Sequence, residues 1–160
     1  MMPHEPVLDI MRRTMRNLSF IETHASETGP FEVTQLINSF MGAMAHPWEQ
    51  LKTELVFISI DDATRQGWPQ VSKEMACHQE PQFLGDLIRL IRNAIAHGNI
   101  TYLPDGKGHI AALRIKNKNR QRTTWTAIIT PADMRRFLEC FVQLVEEMEC
   151  LDNRRSTQLA

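Results

Sequence analysis

The stretch Ile88–Ile100, IRLIRNAIAHGNI, decides how the chain is read. It combines an apolar helical repeat with an arginine, an asparagine and a histidine, then stops at a glycine. The helix is expected to run from Pro81, a favoured first-turn residue, to His97, with Gly98 supplying the left-handed stop. At about 100° per residue, Leu84, Leu87, Ile88, Ile91, Ala94 and Ile95 fall within an arc of about 120°, which must face a core. Gly85, Asp86, Arg89, Arg92, Asn93, Ala96 and His97 fall opposite. Asn93 and His97, four apart, are neighbours on that polar face.

Those side chains suit phosphate chemistry. Arginine stays charged and can hold a phosphate with two parallel hydrogen bonds. Histidine, with an unperturbed pKa of about 6.5, can take or give a proton near neutral pH. Asparagine can orient either group without adding charge. Together they can drive attack of an RNA 2′-hydroxyl on its own phosphate without a metal, His97 moving the proton and Arg92 stabilising charge on the phosphate oxygens. DNA lacks that nucleophile. The competing reading is that Arg92 and His97 simply complement the negative end of a helix, as basic residues there often do. Spacing alone does not separate the two.

Working outward, the chain has 160 residues, enough for one domain with a real core. Hydrophobic content of 42% and charged content of 23% are those of a globular protein. A net charge of -1 excludes coating of nucleic acid by bulk electrostatics, so any such contact must come from a local basic cluster. Three cysteines, Cys77, Cys140 and Cys150, are too few and too scattered for a disulfide framework and suit free thiols in a reducing cytosol. None has CxxC spacing, and Cys77–His78 alone is a weak metal signal; no metal and no cofactor is implied. The N-terminus has no signal-peptide pattern, and no apolar run approaches the roughly 18 residues of a membrane span. A cytoplasmic protein without membrane contact is expected.

Upstream, Leu8, Met11, Met15 and Leu18 mark an amphipathic helix from about Glu5 to His24, broken by ETGP at Glu27–Pro30. Val33, Leu36, Ile37, Phe40 and Met44 mark a second, ending near Pro47. WEQLKTELVFISI (Trp48–Ile60) starts as a helix and ends in residues that suit strand or buried helix equally. DDATRQGWPQ (Asp61–Gln70) reads as loop, and nothing fixes Leu55–Glu80. After the central helix, ITYL, the turn PDGKG, HIAALRI, a polar basic loop and TTWTAII predict two or three short strands. A last helix opens with Thr130 as N-cap, Pro131 in the first turn and Asp133 completing a capping box. Met134, Phe137, Leu138, Phe141, Val145 and Met148 then recur at helical spacing. The polar tail, 152–160, is expected to fray. The predicted fold is mostly α: a helical bundle with a small β-hairpin inserted before its final helix.

RIKNKNRQR places Arg114, Lys116, Lys118, Arg120 and Arg122 on alternate positions. On an extended strand they would share one face and form a rail for an RNA backbone. NKNRQ reads more like a turn, which would interrupt the rail and favours a solvated loop. Trp125 is expected to cover the core rather than stack on a base. His46 is expected to be structural, the methionines to be adaptable core packing, and EEME (Glu146–Glu149) to be an exposed helix face.

RNAIAH, Arg92–His97, resembles the Arg, polar residue, short gap, His signature of the HEPN superfamily. The likeness extends over FEVTQLINSFMGAM and PWE on an early helix, the stretch LIRNAIAHGNI, the following hairpin and the closing helix. It therefore covers most of the chain, 1–151 as a single HEPN-like domain. HEPN domains are bundles of four to five helices with the signature at the end of a late helix. Active members are metal-independent endoribonucleases that form homodimers with two signatures facing one cleft. The resemblance implies Arg92 as the phosphate-binding arginine, His97 as the proton-transfer residue and Asn93 as the polar residue after the arginine. Arg89 and the basic residues from Arg114 to Arg122 would contact RNA. It also implies a toxin or antiphage effector restrained by an inhibitory antitoxin or regulator. Some members carry, two residues after the histidine, a tyrosine that a partner antitoxin modifies; here that position is Asn99, and the nearest tyrosine is Tyr102. Two other readings stand beside this one: a catalytically silent HEPN dimerisation or RNA-binding module, and a helical interaction protein whose Arg92 and His97 decorate a helix end.

Overall fold

The computed structural model describes residues 5–26, 31–45 and 48–158. The expected break at Glu27–Pro30, the stop at Pro47 and His46 lie outside them. Among the described residues the order is α1 (Glu5–His24), α2 (Glu32–Ala45), α3 (Trp48–Leu55), α4 (Ile60–Arg65), α5 (Leu84–Ala96), β1 (Ile100–Pro104), β2 (Ile110–Asn119), β3 (Arg122–Ile129) and α6 (Pro131–Gln158). This is the predicted mostly helical bundle, with a three-stranded antiparallel sheet, in the order β1-β2-β3, before the last helix. Among the described residues there are six helices rather than four or five: α3 is the helical start expected at Trp48, and α4 falls in the stretch the sequence left open.

Local chemistry explains each departure. Helix α4 occupies part of the expected loop because Ser59 caps it: its Oγ accepts from the Asp62 N–H at 3.1 Å. That Ser-x-x-Asp spacing is a capping box the composition of the segment conceals. Helix α5 starts at Leu84, not Pro81, because the residues before it are extended and paired with the segment ahead of α4. Leu84 N–H donates to Ile58 O (2.8 Å) and Ile60 N–H to Gln82 O (3.1 Å). The last helix starts as predicted. Thr130 N–H and Oγ1 both donate to Asp133 Oδ2, and Asp133 N–H returns to Thr130 Oγ1. It then runs past Asp152 to Gln158, where the polar composition predicted fraying.

The core joins one face of each long helix to the inner face of the sheet. Leu8, Met11 and Leu18 of α1, Phe40 and Met44 of α2, and Phe137, Phe141 and Val145 of α6 are all buried. So are Leu113, Ile115, Trp125, Ala127 and Ile129 of the sheet. Trp125 is a core residue, as expected. Met15, Met41 and Met148 pack at the margin of the same cluster. The expected exposed face at Glu146–Glu149 is only partly so: Glu146 and Glu147 are exposed, but Glu149 is half-buried. Trp68, just after α4, sets its ring edge-on to Phe141 at 5.1 Å and closes the side of α6.

Helix α5 lies between α2, α3 and the central strand β2. It is buried over a wider arc than predicted: Gly85 and Leu90 join Leu84, Leu87, Ile88, Ile91 and Ala94 in the interior, and Ile95 sits half-buried. Gly85 belongs inside because the end of α3 passes against it. A Cβ there would lie 3.0 Å from Val56 Cγ1 and 3.1 Å from the Val56 nitrogen.

Two substitutions test this account of α5. Gly85→Val should lower the urea midpoint by about 1–3 kcal/mol of stability, the cost of overpacking against fixed backbone. Gly98→Ala has open space but a φ of +65°, so it should cost about 1 kcal/mol through backbone strain alone. Gly98→Asn should cost less. Equal losses for Ala and Asn would show that the left-handed conformation is not what matters there.

Candidate functional site

Backbone hydrogen bonds cap the end of α5. His97 is the C-cap residue and its N–H donates to Asn93 O at 3.1 Å. Gly98 N–H donates to Ile95 O (3.0 Å) and Asn99 N–H to Ala94 O (2.8 Å). The last two bonds are the 5→2 and 6→1 pair of a Schellman motif, which requires the left-handed Gly98. Asn99 O then accepts from Lys116 N–H at 3.0 Å, tying the helix end to β2. The carbonyls of Asn93, Ala94 and Ile95 are therefore satisfied by backbone, and the His97 imidazole is exposed.

The polar stripe of α5 is narrower than the sequence suggested, since Gly85 has left it. It consists of Asp86, Arg89, Arg92, Asn93, Ala96 and His97. Arg92 and His97 are five residues apart, so they stand about 140° around the axis and about 7.5 Å along it. They occupy opposite margins of the stripe with Asn93 between them. Arg92 is half-buried and held by an interaction of its own; Asn93 is half-buried; His97 is open to solvent. Arg89 is paired with Asp86 at 3.7 Å, one turn back on the same stripe. One chain thus presents a half-buried cation and an accessible imidazole near one helix end, at opposite margins of the stripe.

The basic residues of the sheet divide into two groups. Strand β2 is regular through Asn119, so NKNRQ is mostly strand and the turn is only Arg120–Gln121. Arg114, Lys116 and Lys118 therefore do alternate along one strand and point away from the core. The other two do not continue the rail: Arg120 sits in the turn with a φ of +53°, and Arg122 pairs with Asn119, on the other face. A bulge between Asn117 and Lys118 adds local twist, and Asn117 Nδ2 donates to Thr124 Oγ1 across it at 2.7 Å. Arg114 Nε lies 3.2 Å from both carboxylate oxygens of Glu74, whereas Lys116, Lys118, Arg120 and Arg122 have no carboxylate partner among the described residues.

Sequence reasoning missed Glu74 and His78, which the loop between α4 and α5 brings against the outer face of the sheet. Thr126 N–H donates to His78 Nδ1 at 3.1 Å, a contact between residues 48 positions apart that no local pattern announces. Among the described residues no group of three or more His, Cys, Asp or Glu is placed to hold a metal. The three cysteines are free, and burial pushes the Cys140 thiol above its ordinary range. Among the described residues no helix is long and apolar enough to cross a membrane.

No curated protein and no solved structure matches the chain. A family model described as HEPN pEK499 p136 matches residues 1–151, which include every helix through most of α6, the sheet and the whole Arg92–His97 stretch. The chain belongs to that HEPN family.

Proposed function

We propose that the protein is an endoribonuclease acting as a homodimer, with Arg92 and His97 as its catalytic residues and Asn93 beside them. HEPN proteins include RNases and RNA-binding modules. The observation that favours catalysis here is the hydrogen-bond accounting at the end of α5. Backbone N–H groups cap the last turn of the helix, and the His97 imidazole is left open to solvent and available for chemistry.

The separation of Arg92 from His97 on one helix supports a site shared between two copies. When two α5 stripes face each other, the Arg92 margin of one meets the His97 margin of the other, and Ala96 leaves room for close approach. A phosphodiester seated there has its non-bridging oxygens against Arg92. The 2′-oxygen bonds to phosphorus as its proton passes to a neutral His97 imidazole. The bond from phosphorus to the 5′-oxygen breaks, and that oxygen takes a proton from the protonated His97 of the second copy. The products are a 2′,3′-cyclic phosphate and a 5′-hydroxyl, and these steps require no metal. In a cell such an activity calls for restraint, which fits a cytoplasmic toxin or antiphage effector held by an inhibitory antitoxin or other regulator.

The test is cleavage of varied RNAs in EDTA by wild type, Arg92→Ala and His97→Ala, each first shown to fold and to sediment as a dimer. Loss of the proton-transfer group should reduce the rate about 10²–10⁴-fold. Equal cleavage by all three would place the activity elsewhere. Equal inactivity with retained RNA binding would make the protein a binding module, and a strictly monomeric protein would remove the shared cleft altogether.

A further inference from the structure

The segment Lys73–Gln79 runs along the free edge of β3. Glu74 N–H donates to Thr126 O (2.7 Å) and Gln79 N–H to Thr124 O (3.1 Å), while Lys73 Nζ holds His78 O at 2.9 Å. The segment and the outer face of the sheet enclose an open cleft of about 490 Å³, lined by Glu74, His78, Arg114, Lys116, Thr123 and Thr126 among others. It lies on the opposite side of the sheet from the core.

We infer that this cleft binds the sugar-phosphate backbone of a single RNA strand, with Lys116 and the His78 Nε2–H as phosphate donors. That the polyanion is RNA rests on the nuclease reading above; that the cleft receives an anion does not. His78 is only 8% exposed, and its Nδ1 is an acceptor because Thr126 N–H donates to it. The neutral ring must then carry its proton on Nε2, which has no acceptor among the described residues. His78 lines the cleft and its Nε2 is not sealed from solvent, so this N–H can be met by an acceptor from outside the chain. Lys116, half-buried beside it, has no carboxylate partner among the described residues, and Thr123 adds a hydroxyl. The one carboxylate lining the cleft, Glu74, is already engaged by Arg114. The lining is thus rich in donors and poor in free acceptors.

Two features favour a strand over a small free anion. The cleft is open along its length and continues on the same face to Lys118, two residues along β2. Lys116 also lies on the strand that adjoins the end of α5, since its N–H is bonded to the carbonyl of Asn99, two residues beyond His97. The Glu74 carboxylate competes with phosphate for Arg114, so it should hold affinity down.

The experiment uses a fluorescent 2′-O-methyl oligoribonucleotide, which has no 2′-hydroxyl nucleophile, so binding is read without cleavage. Anisotropy titrations across a salt series compare wild type with Lys116→Ala, His78→Asn and Glu74→Gln, with thermal melts confirming the fold. Asparagine keeps an acceptor for Thr126 N–H but removes the Nε2 donor. Lys116→Ala should weaken binding severalfold and flatten the slope of log K against log salt by about 0.7, the loss of one phosphate contact on a single strand. His78→Asn should weaken binding with less change in slope, and Glu74→Gln should tighten it. Wild-type affinity and slope in folded Lys116→Ala would overturn the proposal, as would a wild-type protein that fails to bind the oligonucleotide at low salt. Weakened binding by Lys116→Ala in a protein without RNase activity would uphold the cleft and sink the nuclease reading. Arg92- and His97-dependent cleavage with unaltered binding by Lys116→Ala would do the reverse.

Discussion

Three backbone hydrogen bonds at the end of α5 carry more of this molecule than their number suggests. Two of them require a left-handed residue at position 98, and Gly98 takes that conformation without the penalty a side chain would bring. They stop the helix at Ala96 and turn the chain directly into β1, with only His97 to Asn99 between. The carbonyl of Asn99 then enters the ladder of β2. The orientation of the sheet on the helix, and the point in space at which His97 stands, follow from one turn. A helix that ended one residue later would move the exit of the chain toward β1 about 100° around the axis.

The same helix is constrained from the other side. Buried residues occupy well over half of its circumference, because α2 and α3 pack on it opposite the sheet. What remains polar is a stripe only a few side chains wide, and Asp86, Arg89, Arg92, Asn93, Ala96 and His97 are all of it. A helix buried so widely cannot rotate to offer a different set. The candidate site residues are therefore presented by a helix packed on several sides, the kind of support a site needs if groups are to be held precisely.

The parts of this structure legible in the sequence were those governed by local rules. The periodicity of α1 and α2, the Thr130–Asp133 box and the glycine stop of α5 were all readable because each depends on residues within a turn or two. The helical face of α5 was only partly readable. Gly85 and Leu90 turn inward because of neighbours distant in sequence, and a helical wheel drawn for one buried face cannot anticipate a second. Helix α4 was concealed by a loop-like composition, although its Ser59–Asp62 spacing was in plain view. The pairing of the 73–79 segment with β3 was not legible at all: it rests on main-chain hydrogen bonds and on one histidine nitrogen meeting one amide. Arg92, Asn93 and His97 were singled out by residue type and resemblance, whereas His78, weighed only beside Cys77 as a weak metal signal, shows its contact with Thr126 only when the sheet is built.

The net charge of -1 conceals a division of labour among the basic residues. On the helices, arginines are largely neutralised by neighbouring acids: Arg13 by Asp9, Arg65 by Asp62, Arg12 by Glu146, Arg135 by Glu22, Arg136 by Glu139. On β2 and its turn, Lys116, Lys118 and Arg120 have no such partner among the described residues. The positive potential is thereby concentrated on the sheet, although the chain as a whole has almost none. Arg120 sharpens the point, since it occupies a left-handed position that glycine would hold with less strain. A folding requirement alone would favour glycine there.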